Sequence, residues 1–238
     1  CRKEIVEIIR NVRNLGLYND ISMTTNGQYL YKKAEDLFNA GLNRINISLS
    51  SLKSDMYSKI TGSDTLEIVL RGIQKAKEVG FNPIKINYVM LRGLNDNELN
   101  DMIDFSAKNG VILQLIELHD KSDAVGIEKQ FYDKYHVDLK DIIYSLEKEA
   151  IKVKTRGMMQ NRKVIFLPNG AIIEVIHPDH EFCMGCTKLR VGCDGNLFGC
   201  LYRSDLGKNV KKDLHKNPSL DKFENILKKV IELREPYY

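Results

Sequence analysis

The chain has 238 residues, of which 43% are hydrophobic and 29% are charged, and this balance excludes an intrinsically disordered protein. With 36 basic and 32 acidic residues the net charge is +4, too small an excess to indicate a nucleic-acid-binding arm. No apolar run approaches the roughly 18–20 residues of a membrane span. The sequence therefore predicts neither a nucleic-acid partner nor a membrane partner.

Predicted strands and helices alternate through the first half of the chain, and glycines follow the helices. The predicted helices are 3–15, 29–40, 53–60, 65–79 and 96–108, and the predicted strands are 21–25, 44–50, 84–91 and 111–118. Such alternation is typical of βα units on a parallel sheet.

The pattern changes after about residue 120. We predict a polar helical stretch over 127–149, strands at 151–156, 162–167 and 171–176, and helices at about 210–215 and 218–234 after a cysteine-rich segment. We therefore predict two domains, an α/β domain over residues 1–120 and a smaller α+β domain over residues 121–238.

Three of the predicted strands pair an apolar face with a polar one. In 44–50, for example, Ile45 and Ile47 alternate with Asn46 and Ser48. Helices would cover the apolar faces, and the polar faces would line either the lumen of a barrel that holds a polar ligand or the wet face of a sheet that contacts partners. The strand–helix alternation favours the lumen. Lys85 would then meet solvent at a strand end or an anion such as phosphate, because a buried ammonium needs a partner.

Four of the five cysteines fall within the segment 181–203, EFCMGCTKLRVGCDGNLFGCLYR. Cys183 and Cys186 form C-x₂-C, and Cys193 and Cys200 follow. Thiolates at this spacing can converge on one metal centre. Two sites are compatible with the pattern: four thiolates around zinc, or three thiolates around an iron–sulfur cluster with Cys193 as a bystander.

Five segments and the cysteine motif together resemble one family. They are TTNG at 24–27, AGLNRINISLSSL at 40–52, ITG at 60–62, IKINYVMLRGLND at 84–96 and IELHD at 116–120. The resemblance is to the radical S-adenosylmethionine (SAM) GTP 3′,8-cyclases of molybdenum cofactor biosynthesis, whose second cluster motif is similar to the cysteine segment. It runs from residue 1 to about residue 210.

The resemblance implies a fold and an activity. The fold would be an α/β protein with an incomplete TIM-type (β/α) parallel barrel and a C-terminal α+β iron–sulfur domain. The activity would be conversion of GTP to (8S)-3′,8-cyclo-7,8-dihydroguanosine 5′-triphosphate by a 5′-deoxyadenosyl radical, the first step of molybdopterin biosynthesis. The implied partners are GTP, SAM and an electron donor, in the cytoplasm, and a homodimer is one assembly that we consider.

The resemblance also implies site residues, position by position. Thr24 and Lys85 would contact GTP, and so would the segment Lys188, Leu189 and Arg190, whose two cations would meet the triphosphate. Ser48 would contact SAM, and His119 occupies a position where the family often has a Met that packs on SAM. Cys183, Cys186 and Cys200 would hold a [4Fe-4S] cluster whose open iron binds guanine.

Radical SAM chemistry also needs a C-x₃-C-x₂-C cluster motif, which does not occur among these 238 residues. We therefore expect that the first quarter of the parent protein, with the first strands of the barrel, precedes Cys1, and that this chain alone does not turn over. The alternative from a different functional class is a nucleotide-binding module stabilised by zinc or an iron–sulfur cluster, without radical chemistry.

Overall fold

Strands and helices alternate through the first 117 residues of the computed structural model, which describes residues 2–120, 126–211 and 219–234. Their bounds follow the predicted pattern closely, with a short 3₁₀ turn before the fifth helix. The strands are β1 (Ser22–Thr25), β2 (Arg44–Ser48), β3 (Ile84–Met90) and β4 (Ile112–Glu117), and the helices are α1 (Ile5–Asn14), α2 (Leu30–Asn39), α3 (Ser54–Thr61), α4 (Leu66–Val79) and α5 (Leu99–Asn109).

The second half contains more elements than the sequence predicted. They are α6 (Ile127–Tyr135), α7 (Lys140–Glu149), β5 (Lys152–Arg156), β6 (Arg162–Phe166), β7 (Ile172–Ile176), α8 (His180–Met184), β8 (Arg190–Val191), β9 (Asn196–Phe198), β10 (Lys208–Asn209) and α9 (Leu220–Glu232). Most of the helix predicted at 210–215 lies outside the described residues.

The single helical stretch predicted over 127–149 is wrong, because α6 and α7 are separate helices. The buried carboxylate of Glu117 explains the break. One of its oxygens lies 2.8 Å from Nε2 of His136, and the other accepts a hydrogen bond from the backbone N–H of Leu139 at 3.1 Å. These contacts hold the connection between the two helices against the end of β4.

The main sheet has seven strands in the order β1-β2-β3-β4-β7-β6-β5. Neighbouring strands from β1 to β7 in this order are parallel, and β6 is antiparallel to β7. The α/β class with a mostly parallel sheet is therefore confirmed. The described strands form an open sheet and no closed barrel.

Helices cover the apolar face of this sheet, as the alternating strands predicted. Ile45, Ile47 and Ile86 are fully buried, as are Val69 and Ile73 of α4. Each such side chain stabilises the fold by about 1.5–3 kcal/mol relative to an exposed one. The opposite face of the sheet is left for polar groups.

The chain divides into two compact units. The first comprises Cys1–Leu118, Tyr135–Lys154 and Val164–Ile176, and the second comprises His119–Lys134, Thr155–Lys163 and His177–Tyr238. The units interleave along the sequence, so the division at residue 120 stays a prediction. Within the described ranges, none of the helices has the length and apolar character needed to cross a membrane.

The second unit has a small core of its own. Strands β8, β9 and β10 form an antiparallel sheet, and Leu197 and Val210 pack there with Val230 of α9. The N-terminal end of α9 is capped by Ser219, whose hydroxyl accepts a hydrogen bond from the N–H of Lys222. This core fixes the position of α9 beside the cysteine segment.

Candidate functional site

Two rows of polar side chains cross the parallel sheet of the first unit. Because side chains directly opposite each other on neighbouring strands share a face, register identifies the members of each row. One row is Thr24, Asn46 and Lys85, and the next is Ser48, Asn87, Gln114 and Glu174. The structure thus brings Thr24, Ser48 and Lys85 onto one face of the sheet.

A buried ion pair lies on this face. The Lys85 ammonium contacts the Glu174 carboxylate, and the two residues are only 3% and 1% exposed. Burial of either charge alone would be very costly, so each requires the other. Glu174 is not among the predicted site residues, although a lone carboxylate within the apolar strand IIEVI is a signal that identifies it.

Other polar atoms of this face remain available for a ligand. The side-chain oxygens of Asn46 and Asn87 are buried and have no hydrogen-bond partner in the part of the chain that the structure describes. An unsatisfied buried group of this kind costs about 1–3 kcal/mol. The exposed side chains of Thr24 and Ser48 stand in the same two rows. The face therefore fits a polar ligand with hydrogen-bond donors, such as a nucleotide.

Three cysteines line one cavity in the second unit. Cys183 lies in α8, Cys186 follows in the next turn, and Cys200 comes directly after Gly199 at the end of β9. All three are half-buried, whereas Cys193 is exposed in the connection between β8 and β9 and does not line the cavity. The remaining lining residues are Gln160, Phe182, Arg190, Gly199, Leu201, Tyr202 and Arg234.

Local hydrogen bonds hold the C-x₂-C segment in place. The Asp179 carboxylate caps α8 by accepting from the N–H of Phe182 at 2.7 Å. On the other side, Gln160 and Asn161 adopt left-handed conformations with φ of 64° and 52°. The N–H of Gln160 donates to the carbonyl of Gly185, and the Asn161 amide donates to the carbonyl of Glu181.

Hydrogen-bond donors and cations surround the Cys186 sulfur. The Nε2 of Gln160 lies 3.6 Å from it. Burial has the largest single effect on the pKa of the Cys186 thiol and raises it, but a hydrogen bond from the backbone of Lys188 and the charges of Arg234 and Arg190 outweigh burial. The pKa of this thiol therefore lies below its usual value, which favours the thiolate, the form that binds metal.

The spacing of the thiols bears on which metal they fit. Among the described cysteines, no three sulfurs all lie within 4.8 Å of one another. A single tetrahedral zinc ion with Zn–S bonds of about 2.3 Å would need sulfurs about 4 Å apart. Three half-buried thiols around one cavity fit an iron–sulfur cluster held by three thiolates, and zinc with a fourth ligand is compatible with the same residues.

The predicted basic segment borders the same cavity. Arg190 begins β8, and its Nη1 donates to the carbonyl of Gly199 at 3.3 Å. Leu189 is 43% exposed, and the carbonyl of Lys188 accepts from Nη2 of Arg234 at 3.3 Å. His119 packs edge-on against Tyr202, with ring centroids 5.3 Å apart.

Gln160 and Arg234 line the cavity but were missed by the sequence analysis. Gln160 is separated from the cysteines by more than twenty residues, and only its buried position, at 6% exposure, marks it as special. Arg234 follows a helix rich in lysine and resembles an ordinary surface cation in the sequence. No local pattern identifies either residue.

Two family models match the chain, and together they cover nearly all of it. Residues 1–106 match the radical SAM superfamily, and residues 111–238 match the family described as Molybdenum Cofactor Synthesis C. Among solved structures, a domain of pyruvate-formate lyase-activating enzyme from Bacteroides vulgatus is similar with a TM-score of 0.40 and 21% identity, over 54% of this chain and 81% of that chain.

The chain is also similar along its whole length to curated proteins named probable GTP 3′,8-cyclase. The protein from Thermococcus kodakarensis is 40% identical over 242 residues, which span 100% of this chain and 77% of the relative. The protein from Methanococcus aeolicus is 41% identical over 241 residues, and that from Methanocaldococcus jannaschii 38% over 239 residues, each match spanning 100% of this chain and 76% of the relative.

Proposed function

The chain belongs to the GTP 3′,8-cyclase family of the radical SAM superfamily, and we propose that it converts GTP to (8S)-3′,8-cyclo-7,8-dihydroguanosine 5′-triphosphate in molybdenum cofactor biosynthesis. The observation that carries the proposal is the similarity to GTP 3′,8-cyclases over all of this chain. The polar sheet face and the cysteine cavity support it, because both fit the ligands of that reaction.

Membership of the radical SAM superfamily implies a [4Fe-4S] cluster and SAM. When bound, they supply the 5′-deoxyadenosyl radical that removes hydrogen from C3′ of GTP. We propose that Ser48 contacts SAM on the polar sheet face, within the incomplete TIM-type barrel that the sequence predicts, and that His119 packs against SAM. An electron donor would supply the electron that SAM cleavage requires. We propose that the protein works in the cytoplasm, where thiols stay reduced.

We propose a second [4Fe-4S] cluster on Cys183, Cys186 and Cys200. The three thiols line one cavity, Gln160 donates toward the Cys186 sulfur, and the lowered pKa of Cys186 favours its ligating form. A cluster held by these three cysteines would have one iron without a cysteine ligand, which would bind the guanine of GTP. The C-terminal α+β part of the chain would then both hold the cluster and bind the substrate.

The protein's own residues bind and orient GTP in this proposal. Arg190 and Lys188 attract the triphosphate, and Arg190 contributes a planar fork that matches phosphate oxygens. Leu189, between these two residues, would contact GTP through its backbone. Thr24 and Lys85 contact the nucleotide from the sheet face, where Glu174 holds the Lys85 ammonium. Contacts that immobilise the nucleotide favour the near-attack geometry for intramolecular attack of C3′ on C8.

Deuterium transfer tests this function directly. The reduced, anaerobically reconstituted protein that carries this chain is incubated with SAM and with GTP deuterated at C3′. We expect 5′-deoxyadenosine that carries deuterium, together with a cyclised isomer of GTP. Arg190→Ala should raise the KM for GTP, and Cys193→Ala, at an exposed thiol outside the cavity, should behave as wild type. Unlabelled 5′-deoxyadenosine with no loss of GTP would refute the proposal.

The metal-stabilised nucleotide-binding module remains the second candidate, and the metal content separates it from the cyclase. One zinc per chain without acid-labile sulfide, together with GTP binding that needs no SAM, would favour the module. Iron with equimolar sulfide would leave the iron–sulfur form of the module and the cyclase, and formation of 5′-deoxyadenosine from SAM would then favour the cyclase.

A further inference from the structure

Arg234 reaches the cysteine cavity from a part of the chain far from the cysteine motif. It lies two residues beyond the end of α9 and lines the cavity together with Cys183, Cys186 and Cys200. It also lines the neighbouring small cavity with Gly199 and Cys200. Nothing in the sequence motif assigns a role to this residue.

The packing of α9 fixes where Arg234 stands. Val230, in the last turn, is 2% exposed and packs with Leu197 and Val210. A Cβ atom on Gly199 would lie 3.5 Å from the carbonyl oxygen of Val230 and 3.6 Å from Cγ of Arg234, so the end of the helix rests directly on the residue before Cys200. Both distances are ordinary van der Waals contacts.

The guanidinium of Arg234 holds the basic segment and lies in the cysteine cavity. Its Nη2 donates to the carbonyl of Lys188 at 3.3 Å, which ties the loop between Cys186 and β8 to the end of α9. Arg234 and Cys186 line the same cavity, and the positive charge of Arg234 is among the causes that lower the pKa of the Cys186 thiol. Arg190, which also lines this cavity, donates to the carbonyl of Gly199.

Charge explains why a cation is needed at this place. The C-terminal end of a helix carries a partial negative charge, and the end of α9 lies beside three thiols. Thiolates and a reduced cluster would add negative charge at the same point. The guanidinium of Arg234, in the lining of the same cavity, offsets that repulsion, and a positive charge beside a cluster raises its reduction potential because reduction adds an electron.

We propose that Arg234 is a positioning residue of the cysteine site, which orders the loop that carries Lys188 and Arg190 and stabilises the reduced state of the cluster by its positive charge. The inference rests on the proposed function for the identity of the cluster. Arg234 lies outside the cysteine motif, just after the end of α9, and would nevertheless affect the reduction potential of the cluster.

The test is a potentiometric titration of the reconstituted protein, followed by electron paramagnetic resonance. The signal that Cys183→Ser abolishes belongs to the C-terminal cluster. In Arg234→Gln we expect the equilibrium between oxidised and reduced cluster to shift at least tenfold toward the oxidised form, a fall in potential of about 59 mV for one electron. Arg234→Lys should shift it less, because it keeps the charge but loses the fork.

Lys229→Gln is the matched control, since it removes one cation from an exposed position of the same helix. It should leave the potential unchanged. An unchanged potential in Arg234→Gln, or an equal shift in Lys229→Gln, would overturn the inference. If Arg234→Gln retains its circular dichroism but loses the iron that Arg234→Lys and Lys229→Gln keep, the inference is supported.

Two further outcomes keep the test decisive. If Arg234→Gln does not fold, Arg234→Met, which also removes the charge, decides, and a wild-type potential in that variant overturns the inference. If Cys183→Ser removes no iron from the protein, the proposed cluster site itself is wrong. If the iron depends on Cys183 but Arg234→Gln leaves the reduction potential unchanged, only the role of Arg234 is refuted, and the proposed cluster site stands.

Discussion

At the scale of single residues, the buried pair of Lys85 and Glu174 carries the most weight. Glu174→Gln leaves the Lys85 ammonium buried without its carboxylate, and we expect a loss of about 3–5 kcal/mol in the free energy of unfolding. The double variant Lys85→Met with Glu174→Met should be far more stable than Glu174→Gln, because it buries no charge. Urea denaturation monitored by circular dichroism measures both.

A surface ion pair in the same unit provides the comparison. Arg44 and Asp20 also pair, but their side chains are 23% and 47% exposed. Asp20→Asn should therefore cost less than about 1 kcal/mol. If Glu174→Gln lowers the free energy of unfolding no more than Asp20→Asn does, the buried pair does not stabilise the polar face.

The buried hydroxyl of Tyr88 should make the folded protein less stable at alkaline pH. Burial, and then the charges of Glu98, Asp96 and Asp101, raise the pKa of its hydroxyl well above the ordinary value of 10.0. The unfolded chain releases this proton at lower pH than the folded protein, so the contribution is fully present below about pH 10 and is lost as the pH rises further.

We expect Tyr88→Phe to lose about 1 kcal/mol near neutral pH, because the hydroxyl donates to the backbone carbonyl of Asn95. Its stability should then fall less steeply in alkali than that of wild type, by up to about 1.4 kcal/mol per pH unit. Urea denaturation at several pH values gives the two curves. Curves that stay parallel above pH 10 would contradict this account of Tyr88.

At the scale of elements, the turn after β1 packs against both α4 and β2. Gly27 has φ of +78°, and a Cβ there would lie 2.9 Å from Cγ1 of Val69 and 3.1 Å from Cγ2 of Ile47. Gly16 has a similar φ of +67° but open space around it. Both alanine substitutions introduce backbone strain of about 1 kcal/mol, and only Gly27→Ala adds overpacking, worth about 1–3 kcal/mol.

Thermal unfolding of the two variants tests this difference. We expect Gly27→Ala to melt below Gly16→Ala and to bind GTP more weakly, since Thr24 is placed by the strand that this turn ends. Equal melting temperatures would show that α4 and β2 can move away from the turn at no cost.

The sequence predicted the elements from α1 to β4 well, because each strand and helix there has its own periodicity and a glycine follows each helix. It predicted the polar face for the same reason. It could not identify Glu174 as the partner of Lys85, because the pairing depends on β7 joining the sheet beside β4. Two-residue strands such as β8 and β10 are too short for periodicity to reveal, and their hairpin is what places Arg190 at the cavity.

At the scale of the whole molecule, the two units carry different parts of the proposed chemistry. The first presents polar side chains on an open parallel sheet, and the second collects three thiols, Arg190 and Arg234 around one cavity. Family membership indicates the reaction, and it is the reason that we propose a cluster in the cavity. The identity of the metal that the three cysteines hold is therefore the most direct test.

Iron and acid-labile sulfide in the anaerobically reconstituted protein measure this directly. We expect Cys183→Ala, Cys186→Ala and Cys200→Ala each to lose about four irons per chain relative to wild type, as a [4Fe-4S] cluster requires. Cys193→Ala, at the exposed thiol outside the cavity, should lose none. Unchanged iron in the three variants, or the loss of one zinc ion in place of iron and sulfide, would contradict the account.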